Sequence, residues 1–352
     1  MSQERLTRLL DTVVKEGGSD LHMTVGQRPI IRVSGALIPL LREDPITPEE
    51  GEKMLKAMLP PNRWDKYQAN QSVDFSYAHT GGARFRVNGY VVQGKIAIAM
   101  RLIPKDIRSF ADLNLPPVLE VFTQRQQGFF LIVGPVGQGK STTMAAIIDR
   151  INTTRAEHIV TIEDPIEYLF DEKKSLIHQR EVYVDAPDFH SALQAAFRED
   201  VNVLMVGEMR DPETISSAVT AAETGHLVLS TLHTNNAAQT IDRIIDIFPP
   251  EQQSQVRVQL AGSLVGIFSQ RLIPRISGGL IPAYEFLINN SAIANLIREG
   301  RTHEITAVVQ TSSQEGMIDM DRSLAELVRR GEVTVENAYE RATDRKTFER
   351  YL

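Results

Sequence analysis

A glycine-rich segment that contains a lysine and hydroxyl side chains is the part of this sequence with the clearest chemistry. It matches G-x-x-x-x-G-K-[ST] at every fixed position and reads Gly134-Pro135-Val136-Gly137-Gln138-Gly139-Lys140-Ser141-Thr142. Glycines let the backbone N–H groups wrap a phosphate, which larger side chains would obstruct. We expect Lys140 to contact the β- and γ-phosphates of ATP, the Ser141 hydroxyl to ligate Mg²⁺, and Thr142 to contact the α-phosphate.

Acidic residues follow two short apolar runs, at the places where a phosphate loop needs a carboxylate. Glu163 follows the run 159–162, and Glu208 follows the run 203–206 after one glycine. If both runs are parallel strands, their carboxyl ends line the edge of the sheet at which ligands bind. A carboxylate there holds the water shell of Mg²⁺ or activates the attacking water. The pattern by itself leaves open which of the two acids has which role.

Two histidines flank the apolar run 227–232, with His226 before it and His233 after it. A single histidine is more often structural than functional, but a side chain at the end of a strand is placed to sense a γ-phosphate. We therefore expect both histidines to serve the nucleotide site. A zinc site is not expected, because no third ligand stands at a suitable spacing.

Strands and helices alternate after residue 117, which predicts a parallel sheet covered by helices. The predicted strands are 128–133, 159–162, 203–206 and 227–231, and the predicted helices are 141–151, 189–197 and 212–223. The helix that follows the glycine-rich segment directs the positive end of its dipole at the phosphates. Beyond residue 249 the chain is expected to be mostly helical, at 252–268, 292–298, 319–330 and 335–341.

The first part of the chain has a different pattern, in which short β-like runs are separated by turn signals. The expected strands are 29–33, 73–77, 83–90 and 96–102, and the expected helices are 4–16 and 48–58. This pattern predicts a small α+β domain. We place an N-terminal domain at residues 1–100, a proline-containing linker at 101–117 and a second domain at 118–352.

The composition excludes several classes of site and partner. The 352 residues carry a formal net charge of −7 and include no cysteine, which rules out disulfides and thiolate zinc sites. An acidic chain without an aromatic-rich basic groove is not expected to have nucleic acid as its main partner. The N-terminal segment lacks the apolar core of a signal peptide, and no apolar run approaches the roughly 20 residues that cross a bilayer. We expect a cytoplasmic protein that reaches a membrane only through a partner.

Four segments, in this order, resemble those of the secretion ATPases that drive type II and type IV secretion and type IV pili. The glycine-rich segment corresponds to Walker A of that family, and the others correspond to its Asp box (161–168), Walker B (205–211) and His box (225–237). Three further segments, at 17–35, 292–299 and 316–328, are similar to the pilus retraction branch, the PilT family. The resemblance covers almost the whole chain.

The resemblance implies a RecA-like ATPase core and a smaller PAS-like α+β domain, assembled as a homohexamer with ATP between the two domains. It implies that Glu163 polarises the attacking water and that Glu208 is the Walker B acid that supports Mg²⁺. It assigns Arg86 and Arg101 of the small domain to the phosphates and places Arg198 near the site. An arginine on a mobile domain stabilises transition-state charge only when that domain closes. The implied function is ATP hydrolysis that powers pilus retraction and twitching motility, with an inner-membrane platform protein as partner.

Three positions differ from the pattern of this family. Val136 and Gln138 replace the threonine and serine that are common in the phosphate loop of this family. We expect a small effect on nucleotide binding, because both positions offer backbone groups to the phosphates. Ala294 replaces an arginine in the retraction-branch motif at 292–299, which leaves open how that motif works in this chain. The assembly branch usually has a further N-terminal domain and a four-cysteine zinc element. Their absence from this sequence favours retraction.

Several other functions are compatible with the sequence. Within the family, these are an accessory retraction ATPase of the PilU type and an ATPase of pilus assembly or type II secretion. A nucleic-acid translocase on the same core is disfavoured by the acidic charge, and a GTP-binding switch by the lack of an Asn-Lys-x-Asp segment. The short segment after residue 340 favours the PilT type over the PilU type.

Overall fold

The computed structural model describes residues 2–60 and 63–352 and divides the chain into two compact units. Unit 1 contains the residues up to Asp106 together with Asp164–Leu169, and unit 2 contains Ile107–Glu163 and Phe170–Leu352. The expected α/β fold class is confirmed, since unit 1 has an antiparallel sheet and unit 2 has a sheet of mainly parallel strands. The segment Asp164–Leu169 belongs to unit 1 although unit 2 precedes and follows it along the chain.

Unit 1 combines three short helices with its sheet in the part of the chain that the structure describes. Its elements are α1 (Ser2–Lys15), β1 (Asp20–Thr24), β2 (Ile30–Val33), β3 (Ala36–Pro39), α2 (Pro48–Met58), α3 (Arg63–Asn70), β4 (Ser72–Ala78), β5 (Arg84–Val92) and β6 (Lys95–Ile103). The sheet has the order β3-β2-β1-β6-β5-β4. Helical spacing places Leu6, Leu9 and Val13 on one buried face of α1. Thr47 and Glu50 form a capping box that satisfies the first N–H groups of α2.

Three elements of unit 1, β1, β3 and α3, are not predicted by the sequence pattern. β3 is joined to β2 by the turn Ser34-Gly35, whose φ values of 49° and 86° suit a two-residue hairpin turn. β3 is an edge strand with every residue exposed, so it lacks the alternation of buried and exposed positions that identifies a strand. The Ser-Gly pair between two apolar runs is the local signal for this hairpin.

Unit 2 begins with a short helix and then alternates strands and helices. Its elements up to residue 246 are α4 (Leu119–Thr123), β7 (Gly128–Val133), α5 (Lys140–Thr154), β8 (His158–Glu163), β9 (Leu176–Glu181), α6 (Phe189–Ala196), β10 (Val203–Val206), α7 (Pro212–Glu223), β11 (Leu227–Leu232) and α8 (Ala237–Asp246). The later elements are α9 (Pro250–Ser263), β12 (Leu264–Pro274), β13 (Leu280–Ile288), α10 (Ser291–Glu299), α11 (Ile305–Thr311), α12 (Met320–Arg329), α13 (Val335–Arg341) and α14 (Arg345–Tyr351). Across residues 2–60 and 63–352, no helix has the length and apolar character needed to cross a membrane.

The sheet of unit 2 has the order β13-β12-β7-β11-β10-β8-β9. The strands from β12 to β9 are parallel neighbours, and β13 is antiparallel to β12. The predicted strands at 128–133, 203–206 and 227–231 are confirmed, and all residues of β7 and β10 are buried. β11 lies between β7 and β10, so the strand before the glycine-rich segment is not adjacent to the strand before Glu208.

The helix predicted for 252–268 is wrong beyond Ser263, where α9 ends and β12 follows. β12 pairs in parallel with β7 and forms a hairpin with β13. This apolar run fits a helix or a strand equally well by composition. Gly266 allows close pairing, since a Cβ there would lie 3.0 Å from the carbonyl oxygen of Leu287 on β13. The formation of β12 therefore depends on pairing with distant segments. The same holds for β9, which the sequence pattern also does not predict.

Candidate active site

The carboxyl ends of β7, β11, β10 and β8 lie side by side in unit 2 and form the edge of the sheet that is made of strand ends. The strands are parallel, and their register aligns their last residues, such as Val133 with Leu232. Parallel sheets bind ligands at this edge. The predicted site residues found here are Gly134, Glu163, Glu208 and His233. The structure thus brings together the phosphate loop, both candidate acids and one of the two histidines.

The phosphate loop runs from β7 to α5 with glycines at positions where other residues would not fit. Gly134 has a φ of 149°, and a Cβ there would lie 2.4 Å from the carbonyl oxygen of Gln270. Gly139 has a φ of 80°, and a Cβ there would lie 2.8 Å from Nε2 of Gln270. α5 begins at Lys140, so the first N–H groups of a 15-residue helix lie at the loop. This backbone cradle fits a phosphate group and therefore the triphosphate of ATP.

Lys140 is buried at the start of α5, and its side chain folds back onto the loop. Its Nζ donates to the carbonyl oxygens of Gly134 at 2.8 Å and Pro135 at 2.9 Å, and it lies 3.2 Å from Nδ1 of His233. An ammonium group has only donors, so His233 accepts at Nδ1 and carries its proton on Nε2. The loop thereby holds a positive charge where the β- and γ-phosphates are expected.

The surroundings of His233 and Glu208 keep the histidine neutral and the glutamate ionised at neutral pH. Burial, and then the charge of Lys140, lowers the pKa of His233 below its usual value. Burial on its own raises the pKa of Glu208, but the hydrogen bond from Arg210 at 2.6 Å and the nearby positive charges, including that of Lys140, lower it further than burial raises it, so the pKa of Glu208 lies below its usual value. Ionised oxygen ligands suit Mg²⁺, and Ser141 offers a hydroxyl in the first turn of α5. These residues fit the expected Mg²⁺ site.

Glu163 ends β8 with a buried side chain that two neighbours hold in place. Its Oε1 accepts hydrogen bonds from Oγ1 of Thr161 at 2.6 Å and from Nε2 of Gln179 at 3.1 Å. Thr161 lies two residues earlier on the same face of β8, and Gln179 lies on the neighbouring β9. The two bonds fix the orientation of the carboxylate, as a group that directs a water molecule requires.

Two glutamines connect the phosphate loop to β12, and the sequence pattern predicts neither connection. The buried Gln270 accepts from Oγ1 of Thr143 at 2.7 Å and donates to the carbonyl oxygen of Gln138 at 2.8 Å. The side chain of Gln138 in turn accepts from the N–H of Leu272 at 2.8 Å. Gln138 therefore binds β12 through its side chain, in addition to the backbone groups that it offers to a phosphate. The only sequence signal for Gln270 is a polar residue next to a largely apolar run.

We expect Gln270→Leu to weaken nucleotide binding and to lower the thermal stability of the chain. The substitution removes the partner of the buried Thr143 hydroxyl and of the Gln138 carbonyl, at a cost of about 1–3 kcal/mol for each group. The loop then loses its attachment to β12, and we expect a loss of ATP affinity of roughly 10-fold or more. Titration with a fluorescent ATP analogue measures this effect. Gln252→Leu, at an exposed position of α9, is the control, and equal affinities of the two variants would contradict the role of Gln270.

Two predicted site residues lie away from this group. His226 directly precedes β11, and its carbonyl oxygen accepts from the N–H of Gly128 at the start of β7. The six residues of β11 separate His226 from His233, a distance of about 23 Å along the strand. Arg198 is exposed in the turn between α6 and the amino end of β10. Because both residues precede a strand, the structure places neither side chain beside Lys140 within unit 2.

In unit 1, Arg86 on β5 and Arg101 on β6 lie directly opposite each other. Two like charges at one register position repel each other unless anions balance them. Arg86 donates to Oε1 of Glu167 at 2.7 Å, and Arg101 donates to Oδ1 of Asp20 at 2.9 Å. The side chains of the two arginines are nevertheless 42% and 73% exposed. This face of the sheet therefore presents paired guanidinium groups that suit an anion with several oxygen atoms.

A cavity of ≈ 300 Å³ adjoins Glu208 and His233 within unit 2. Arg210 and Arg243 line it together with apolar side chains from α7 and α8. The sequence pattern does not single out either arginine, because each stands next to an acidic residue, as surface charges commonly do. The cavity leaves open space beside Glu208 and His233 at the strand ends.

Comparisons with known proteins show what this chain is similar to. The family model described as type II/IV secretion system protein matches residues 3–346. The type IV pilus retraction ATPase PilT of Pseudomonas aeruginosa is 41% identical over 343 residues, which cover 97% of this chain and 99% of that protein. A twitching motility protein of Neisseria gonorrhoeae is 44% identical over 91% of this chain and 86% of its own length. A crystal structure of the pilus retraction motor PilT with bound ADP matches with a TM-score of 0.89 at 46% identity and covers 98% of each chain.

Proposed function

The chain belongs to the type II/IV secretion system protein family, within its PilT group of pilus retraction ATPases, and on this basis we propose that it hydrolyses ATP to power retraction of a type IV pilus. The observation that carries the proposal is the edge of the sheet in unit 2, where the ends of parallel strands lead into the phosphate loop with Lys140, into Glu163 and into Glu208. A phosphate loop with two acids at this edge has the parts that phosphoryl transfer to water requires.

The residues of unit 2 have distinct roles in the proposed reaction. Lys140 and the N–H groups of the loop hold the β- and γ-phosphates, and Ser141 and Glu208 hold Mg²⁺, which neutralises phosphate charge when bound. Glu163 orients a water molecule and accepts its proton as the water oxygen bonds to the γ-phosphorus. The bond from the γ-phosphorus to the bridging oxygen breaks, and ADP and phosphate leave. His233, neutral and next to Lys140, senses the γ-phosphate.

The arginines of unit 1 complete the proposed reaction by stabilising charge on the transferred phosphoryl group. Arg86 and Arg101 share one register position and remain exposed while paired with carboxylates. We propose that they reach the phosphates of ATP when unit 1 closes, so that hydrolysis is coupled to domain movement. This coupling is what a motor needs, because it links each ATP hydrolysed to a displacement.

We expect Arg86→Ala and Arg101→Ala each to lower the turnover of ATP roughly 100-fold or more, by the usual size of such arginine effects. Both side chains are exposed, so we expect the fold to stay intact. Phosphate release measures turnover, and circular dichroism checks the fold. The control is Arg8→Ala, which removes an exposed arginine from an ion pair with Glu43 on the same unit. Normal hydrolysis by both site variants would show that closure of unit 1 is not required.

The proposed motor acts as a homohexamer in the cytoplasm and reaches the inner membrane through a pilus platform protein. The support for this assembly is membership of the family, whose resemblance to this chain extends over both units. Light scattering in the presence of a non-hydrolysable ATP analogue tests the hexamer directly.

Complementation tests the proposed function in cells. The chain is expressed in a Pseudomonas aeruginosa strain that lacks its own PilT, and the twitching zone is measured. Restored twitching by the wild-type chain, but not by Glu163→Gln, supports a retraction ATPase. Hydrolysis of ATP only when single-stranded DNA is added to the purified chain would instead favour a nucleic-acid translocase.

A further inference from the structure

A buried acid on β13 has no place in the proposed reaction. Glu285 is only 7% exposed, and its Oε1 accepts hydrogen bonds from the backbone N–H of Ala237 at 2.6 Å and from Oγ of Ser269 at 3.3 Å. Burial of a carboxyl group costs free energy unless hydrogen bonds replace those that it made to water. Its two partners show what Glu285 connects.

The first partner belongs to the segment that carries His233. Ala237 is the first residue of α8, and its N–H is one of the helix N–H groups that lack a partner within the helix. Only three residues, 234–236, separate it from His233 at the end of β11. A group that fixes the first turn of α8 therefore also limits where the His233 side chain lies beside Lys140.

The second partner belongs to the strand next to the phosphate loop. Ser269 on β12 lies opposite Glu285 on β13 and also opposite Val133 on β7. Val133 is the residue before Gly134, where the loop begins. Glu285 thus joins the strand beside the loop to the helix that follows His233.

We propose that Glu285 is a positioning residue for ATP hydrolysis, which acts through the first turn of α8 on His233, and that its ionised form is the one that supports full turnover. A carboxylate accepts a stronger hydrogen bond than a carboxylic acid, and it is attracted by the positive end of the helix. Protonation weakens the attachment of α8 and allows His233 to move relative to Lys140. The proposal rests on the proposed ATPase function.

The groups that face Glu285 set the pH at which this change occurs. Burial raises the pKa of Glu285 to about 7, although the hydrogen bonds from Ala237 and Ser269 lower it. Asp319, at the start of α12, raises the pKa further, and Arg271 on β12 lowers it. The carboxyl group therefore changes its charge between pH 6 and pH 8, within the range of cellular pH. The pKa of His233 shifts in the opposite direction, because burial and Lys140 lower it.

The pH profile of ATP turnover tests the proposal. We expect kcat of the wild-type chain to fall about 10-fold from pH 8 to pH 6, since the ionised fraction of a group with a pKa near 7 falls by that factor. Glu285→Gln keeps the shape but is neutral like the protonated acid, so we expect its kcat at pH 8 to lie near the wild-type value at pH 6 and to fall less than about 2-fold over the same range. KM for ATP should change little in either chain, because Glu285 does not contact the loop. Glu336→Gln, at an exposed position of α13, is the matched control and should keep the wild-type profile.

A second variant keeps the test decisive if Glu285→Gln does not fold. Ser269→Ala removes one hydrogen bond that favours the ionised form, so the midpoint of the wild-type profile should move to higher pH. An unchanged midpoint in Ser269→Ala, or the full 10-fold fall in Glu285→Gln, overturns the proposal. If the wild-type chain hydrolyses no ATP at any pH, the proposed function itself fails, and this proposal fails with it.

The stability of the chain gives a readout that does not depend on activity. The pKa of Glu285 is raised in the folded chain, so the folded chain binds a proton between pH 4.5 and about 7 that the unfolded chain releases. The contribution of this group to stability therefore falls as the pH rises through that window. The melting temperature of Glu285→Gln, relative to wild type, should rise from pH 5 to pH 8. A constant difference would show that Glu285 does not titrate in this range and would overturn the proposal.

Discussion

Replacement of Lys140 by alanine is expected to reduce ATP turnover to below about 1% of the wild-type rate, because the substitution removes the positive charge from the centre of the phosphate loop. Nζ of Lys140 donates to two carbonyl oxygens of the loop and lies beside His233. The alanine variant lacks both the charge that holds the β- and γ-phosphates and a neighbour that keeps His233 neutral. Nucleotide affinity should fall together with turnover.

The measurement for Lys140→Ala combines steady-state phosphate release with equilibrium binding of a fluorescent ATP analogue. Lys174→Ala, which removes an exposed lysine of unit 2, is the matched control and should behave as wild type. Circular dichroism of both variants separates loss of the site from loss of the fold. Unchanged turnover in Lys140→Ala would remove the phosphate loop from the mechanism.

Replacement of Glu163 by glutamine is expected to leave ATP binding intact and to slow hydrolysis at least about 100-fold, the usual size of a general-base effect. Glutamine has the same shape, and its amide oxygen still accepts the hydrogen bonds that Thr161 and Gln179 donate to Oε1. The amide does not take a proton from water. The variant should therefore hold ATP in an intact but unreactive site.

Single-turnover measurements distinguish the roles of the two acids. After ATP is mixed with excess Glu163→Gln protein, the bound nucleotide should remain ATP, whereas the wild-type chain converts it to ADP. Glu172→Gln, at an exposed position, controls for the loss of one negative charge. Near-normal conversion in Glu163→Gln would move the role of the base to Glu208.

The parts of the fold and site with local signals could be predicted from the sequence. Gly134, Gly139 and Lys140 lie within one short segment, and the apolar runs before Glu163 and Glu208 identify buried strands without knowledge of their partners. Parallel strands then place these residues at one edge, whatever the order of the strands. The prediction of the nucleotide site therefore depends on chain direction and spacing alone.

The parts that depend on pairing between distant segments could not be predicted. β12 forms a strand because β7 and β13 lie on either side of it, and the sequence of the run does not reveal these neighbours. The contacts of Gln270 and Glu285 follow from that pairing, so both residues were missed. Arg86 and Arg101 lie opposite each other because of the register between β5 and β6, which the sequence likewise does not reveal.

The histidines show how strand direction limits what a motif predicts. His226 and His233 both belong to one short segment, and the segment alone predicts a role at the nucleotide site for both of them. A strand between two residues places them at opposite edges of the sheet, so only His233 joins Lys140. The role expected for His226 in nucleotide binding stays a prediction.

Piliation and twitching of a deletion strain test the central claim most directly. The gene is deleted in the bacterium that encodes it, and surface pili are counted by electron microscopy while twitching is measured on agar. A retraction ATPase predicts that the deletion strain keeps or gains surface pili and loses twitching, and that the wild-type gene restores movement. Loss of pili from the deletion strain would contradict the account and would indicate a motor for pilus assembly.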